Sequence, residues 1–133
     1  MRLIVGISGS SGVIYGIRLL EMLRHMPDVE SHLVISSGAK LNISLETDLS
    51  ARDVEGLADV VYSDKDLAAA ISSGSFRTDG MVIAPCTMQT LSGGVNSSAD
   101  NLIVRAASVV ITEQRRLVRV PGQSPLNVGR SRQ

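Results

Sequence analysis

The chain of 133 residues predicts an α/β protein built on a doubly wound parallel sheet. Leu3 to Ile7 is an unbroken apolar run rich in β-branched residues, the pattern of a strand buried on both faces. The period then changes to a helical one, with Ile17, Leu20 and Leu23 on one stripe. That alternation of strand and helix repeats down the chain, and strands joined through helices imply right-handed crossovers in one parallel sheet.

Element by element, the first helix is expected over Val13 to Met26, with Val13, Leu19 and Met26 beside its main stripe and Pro27 as its stop. Val29 to Ile35 reads as a second strand that ends in Ser36-Ser37-Gly38, where a helix starts and runs towards Leu45. Ser50 is placed to cap a short helix through Leu57, with Asp53 completing a capping box. Val60 to Tyr62 is a short strand, Ser72 to Ser75 a loop, and Met81 to Ala84 a strand running into Pro85-Cys86-Thr87. Residues 100–112 form a helix capped by Asp100, carrying Leu102, Ile103, Ala106, Val109 and Val110 on one side. Leu117 to Val120 is the last strand. One domain over residues 1–121 is expected, with residues 122–133 a divergent, flexible tail without apolar periodicity.

Composition narrows the function. Hydrophobic residues make up 44% of the chain, enough for one core, and formal charge is zero, so no broad basic field points to nucleic acid or membrane. Aromatics at 2% argue against base-stacking platforms. A single cysteine closes no internal disulfide, and no apolar leader or spanning run follows Met1, so a cytoplasmic setting without membrane insertion is expected. His25 and His32 have no ligand cluster near them in sequence, so no metal site is expected.

Ligands of open α/β sheets lie beyond the carboxyl ends of the strands. Three small, polar turns fall there: Ser8 to Gly12, Ser36 to Gly38, and Cys86 to Thr90. A helix opening at Gly12 would aim backbone N–H groups and its positive end over Gly9-Ser10-Ser11, which suits a phosphate. The spacing Gly9-x-x-Gly12-x-x-x-Gly16 is not the dinucleotide fingerprint, and neither a P-loop nor a serine-hydrolase elbow is present. Cys86, after a buried strand, reads as a packing residue rather than a nucleophile. Glu46 is the one carboxylate following a ligand-facing helix; taken alone it reads as a solvated surface acid.

Taken together, "RLIVGISGSSGVIYGIRLL", "HLVISSGAK", "LETD", "ISSGSF", "MVIAPCTMQTLSGG" and "DNLIVRAASVV" resemble the flavin prenyltransferases of the UbiX type, colinearly from Arg2 to about Val120. The resemblance implies a three-layer, flavodoxin-like or Rossmann-like fold, a trimer-based homo-oligomer and FMN as cofactor. It also implies transfer of a dimethylallyl group from dimethylallyl phosphate to reduced FMN, with the product used by a UbiD-type decarboxylase. Gly9, Ser10, Ser11, Ser36, Thr87, Met88, Gln89 and Thr90 would then bind FMN, and Ser11 and Glu46 would be catalytic.

Beyond Val110 the chain departs from that pattern. The family's Lys-Glu-Arg-Arg-Pro-Leu-Val-Leu-Val-Pro-Arg-Glu is matched by residues 112–123, with Thr112 for the lysine, Gly122 for the arginine and Gln123 for the glutamate. Arg119 replaces an apolar strand residue and is expected to disturb packing. Family members also continue for some tens of residues beyond the position of Gln133. These departures imply an alternative: an FMN-binding remnant or accessory subunit in which transfer is impaired.

Overall fold

Period-two alternation in the first strand decides how the layers pack. In the computed structural model, which describes residues 1–86 and 101–122, that strand is β1 (Arg2–Ile7). Val5 and Ile7 face one side, where α1 (Val13–Arg24), α2 (Ser37–Glu46) and α3 (Ala51–Glu55) bury Ile17, Leu20, Ile43 and Val54. Ile4 and Gly6 face the other side, covered by α4 (Leu102–Thr112) through Leu102, Ile103, Ala106 and Val110. The remaining strands are β2 (Glu30–Ile35), β3 (Val60–Ser63), β4 (Gly80–Cys86) and β5 (Arg116–Pro121), and a 3-10 turn lies at Ala70–Ser72.

The described strands form one parallel sheet in the order β3-β2-β1-β4-β5. Val5 stands opposite both Leu33 and Val82, so the three central strands share one apolar level. The chain winds outward from β1 to β3, then returns to lay β4 on the other side of β1. The order therefore reverses between β1 and β4, and a crevice opens at their carboxyl ends. Helix α1 crosses close to that point because Gly16 has no side chain. A Cβ there would overlap the Ala84 carbonyl oxygen and lie 2.8 Å from Ile7 Cγ1.

Three expectations need correction. Helix α1 ends at Arg24, and Met26 is 49% exposed instead of extending the stripe. Bonds from Met26 N to Leu23 O and from Val29 N to Met26 O fold the chain into turns before Pro27 could be reached as part of the helix. The cap of α4 is Asn101, whose side chain accepts from Ile103 N at 2.7 Å; Asp100 lies outside the described residues. Asp and Asn cap equally well, and the apolar stripe beginning at Leu102 selects the nearer one. Arg119 does not disturb the core, because β5 is an edge strand and its side chain is exposed. The capping box between Ser50 and Asp53 is present as expected.

Polar side chains close the opposite, amino-terminal end of the sheet. His32 is 3% exposed and bridges Glu30 Oε1 at 2.6 Å and the Tyr62 hydroxyl at 2.9 Å. Arg2 joins Glu30 at 3.2 Å and lies 4.5 Å from the centre of the Phe76 ring. His32 is thus engaged in the fold, and among the described residues no group of His, Cys, Asp and Glu is placed to hold a metal ion. No helix among the described residues is long and apolar enough to cross a membrane.

Two outcomes follow from this packing. Gly16→Ala forces a methyl into the α1–β4 contact and should lower unfolding stability by about 2–3 kcal/mol in denaturant titration, with an unchanged slope. The hydrogen bond from His32 holds the Glu30 carboxyl below its ordinary range, and bonds to the Ser50 backbone and hydroxyl do the same for Asp53. Both contributions are present above the carboxylate range and are lost as pH falls through the lowered values. Stability should therefore decline on acidification, and the double variant Glu30→Gln/Asp53→Asn should show a flatter acid limb.

Candidate functional site

The turn from Ser8 to Gly12 leaves β1 at the crevice. Ser8 is buried, its hydroxyl donating to the Pro85 carbonyl at 2.5 Å, which ties the end of β1 to that of β4. Gly12 caps α1 with φ 109° and ψ 26°, in the left-handed region that favours glycine. Across the turn, the Cα atoms of Gly9 and Gly38 pack so closely that a Cβ on either would lie 3.4 Å from the other. The first turn of α2 is thereby held against the loop after β1.

One face of α2 then grips that loop twice. Asn42 Nδ2 donates to the carbonyls of Gly9 at 2.8 Å and Ser10 at 3.3 Å. One helical turn further on, Glu46 Oε1 accepts from the N–H groups of Gly12 at 3.0 Å and Val13 at 3.3 Å. This overturns the expectation that those N–H groups are open to a phosphate. A carboxylate from the protein itself already occupies the positive end of α1. One step earlier in the turn, the N–H groups of Gly9, Ser10 and Ser11 have no acceptor among the described residues.

Other expected site residues fall around the same crevice. Ser36 is 8% exposed; its N–H donates to Ile7 O at 3.0 Å and its hydroxyl oxygen accepts from Ala39 N at 3.1 Å, capping α2. The hydroxyl proton of Ser36 stays available for donation. Ser11 and Glu46 are exposed, and Glu46 Oε2 carries no bond among the described residues. Thr87, Met88, Gln89 and Thr90 lie outside the described residues. Cys86 is buried at the end of β4, and burial pushes its thiol up against a smaller opposing pull from Arg119. Cys86 packs in the same core cluster as Leu102, Ile103 and Ala106, as its reading as a packing residue expects.

The crevice is closed on its β5 side by Gly122. Its N–H donates to Cys86 O at 3.1 Å, and a Cβ added to it would overlap the Ser10 hydroxyl and lie 3.1 Å from Ser11 O. Ser10 Oγ is itself buried with no hydrogen-bond partner among the described residues. Sequence reasoning missed both Asn42 and the contact with Gly122. Asn42 had a signal: Ala39, Asn42, Ile43 and Glu46 share the i, i+3, i+4, i+7 stripe of one helix face. Gly122 had none, because its neighbour Ser10 is far away in sequence. Two grooves of about 450 and 480 Å³ lie at the amino-terminal end of the sheet and touch none of Gly9, Ser10, Ser11, Ser36 or Glu46.

A parallel sheet with a glycine- and serine-lined crevice at its switch point is the architecture of nucleotide-binding α/β proteins, and the Flavoprotein family model matches residues 1–125. The chain is 56% identical to the flavin prenyltransferase UbiX of Escherichia coli (strain K12) over 131 residues, 98% of this chain and 69% of that one. It superposes on a dodecameric FMN-dependent UbiX-like decarboxylase from Escherichia coli O157:H7 with TM-score 0.88 and 51% identity, over 98% of this chain and 76% of that one. On AnUbiX (PadA1) in complex with FMN and dimethylallyl pyrophosphate the TM-score is 0.86 and the identity 42%, over 98% and 73%. The chain belongs to the UbiX-type flavin prenyltransferase family, and it spans about two thirds of the length of the curated relatives it matches.

The contact at residue 122 can be measured by a double-mutant cycle. Gly122→Ala should cost about 1–3 kcal/mol as its methyl meets Ser10, and most of that cost should vanish in a Ser10→Gly background. Equal costs in the two backgrounds would show that the two residues do not touch.

Proposed function

We propose that this chain binds FMN in the β1–β4 crevice and transfers a dimethylallyl group from dimethylallyl phosphate to the reduced flavin. The observation that carries this reading is the Ser8–Gly12 turn: a chain with majority identity to a flavin prenyltransferase has there a buried Ser10 hydroxyl and the N–H groups of Gly9, Ser10 and Ser11, none of which has a partner among the described residues. These are the groups a flavin phosphate requires. Bound and reduced, FMN supplies the nucleophilic ring atoms to which the prenyl group is joined.

The protein's own residues then have separate tasks. Gly9, Ser10 and Ser11 hold the phosphate, Ser36 donates its hydroxyl proton towards the cofactor, and Thr87, Met88, Gln89 and Thr90 complete the flavin site. Glu46 is anchored through Oε1 by two backbone donors, which leaves Oε2 to take and return the proton released as the new bond forms. Ser11, on the same turn, relays that proton. The prenylated flavin passes to a UbiD-type decarboxylase. The chain works in the cytoplasm as a homo-oligomer of trimers, in keeping with the dodecameric assembly of its structural relative. Its working domain is residues 1–121 with Gly122, which packs against Ser10, and residues 123–133 follow it.

A second reading is supported by Gly122 and Thr112, which stand where the family pattern carries an arginine and a lysine. With fewer cations for the leaving phosphate, FMN is bound but transfer is slow. Mass analysis of the flavin after anaerobic reduction with dimethylallyl phosphate separates the two. A flavin heavier by one prenyl unit is expected; bound but unmodified FMN would favour the second reading, and no bound flavin would sink both. Glu46→Gln preserves an acceptor for Gly12 and Val13, so it should retain FMN while transfer falls by about a hundredfold or more.

A further inference from the structure

We infer that Asn42 is a positioning residue that turns the backbone donors of the Ser8–Gly12 turn towards an anionic ligand. Its partners, the carbonyls of Gly9 and Ser10, can only accept, so the nitrogen of the Asn42 amide must face them. Both peptide units concerned are trans, and in a trans unit C=O and N–H point in opposite directions. Drawing the carbonyls of Gly9 and Ser10 towards α2 therefore turns the N–H groups of Ser10 and Ser11 away from α2. Successive N–H groups aimed to one side form a concave anion-binding nest.

Glu46 acts on the neighbouring peptide unit with the opposite sign. It draws the Gly12 N–H towards α2, so the Ser11 carbonyl of that unit points away from it. Its location agrees: Ser11 O lies beside Gly122, on the β5 side of the turn. The chain flips at Ser11, and the flip exists because α2 presents a donor at residue 42 and an acceptor at residue 46. The Ser10 hydroxyl, buried and without a partner among the described residues, lies on the same β5 side and adds a third donor. Naming the anion as the phosphate of FMN rests on the proposed function; the orientation of the donors does not.

Asn42→Leu removes the amide at nearly constant volume and with a stronger helix former, so α2 should keep its helical circular dichroism, with only a modest drop in melting temperature from the two lost loop bonds. Inorganic phosphate titrated into the 15N-labelled chain should shift the Ser10 and Ser11 amide signals, and Asn42→Leu should weaken that response about tenfold. With flavins, the parent should prefer FMN to riboflavin, and the variant should lose about tenfold of that preference while binding riboflavin as before. A merely structural role would weaken both flavins together. An unchanged phosphate response in Asn42→Leu, or a parent whose Ser10 and Ser11 signals ignore both phosphate and FMN, overturns the inference. A parent that binds no flavin, yet loses its phosphate response in the variant, overturns the flavin reading and leaves the role of Asn42 standing.

Discussion

Helix α2 holds the loop after β1 by two opposite bonds made one helical turn apart, and the geometry of the crevice depends on that pair. A loop of three serines and two glycines has little conformational preference of its own, and its N–H groups point wherever its carbonyls are not. Asn42 supplies donors to two of those carbonyls, and Glu46 supplies an acceptor to the next two N–H groups. The close approach of Gly9 to Gly38 sets the distance at which both side chains reach. Every other element at this end, from the Ser36 cap to the bond between Ser8 and Pro85, keeps α2, β1 and β4 in register with that grip.

The two ends of the sheet are built differently, for reasons that follow from what each must do. At the amino-terminal end, Arg2, Glu30, His32, Tyr62 and Phe76 satisfy one another, so their hydrogen-bonding capacity is consumed within the fold. At the carboxyl-terminal end the side chains are small, and among the described residues the backbone N–H groups of Gly9, Ser10 and Ser11 have no acceptor. Small residues let two backbones and a ligand approach one another, while large paired side chains fill space and exclude a ligand. The open grooves at the amino-terminal end have volume but touch none of the small residues that line the crevice.

Glu46 holds the start of α1 with one carboxylate oxygen. A carboxylate at the positive end of a helix is a favourable cap, and using a single oxygen for it leaves the other without a bond among the described residues. Among the described residues, the N–H groups left without an acceptor therefore lie one step earlier in the turn, at Gly9, Ser10 and Ser11. Two anions competing for the N–H groups of Gly12 and Val13 would repel each other in a partly dry crevice.

Much of this was written in the sequence. Unbroken apolar runs marked the central strands, because a strand covered on both faces has no solvent side to pattern. The capping box of Ser50 and Asp53 and the helical stripe of Val13, Ile17, Leu20 and Leu23 were legible because their partners lie within a turn or two along the chain. The small polar turns at strand ends located the crevice, and the colinear motifs identified the family. Tertiary structure alone decided which groups in the crevice are spent and which are open. Asn42 meets Gly9 across 33 residues, Glu46 meets Gly12 across 34, and Gly122 meets Ser10 from the far side of the sheet. A hydrogen bond is set by distance and direction in space, and a sequence records neither for residues so far apart.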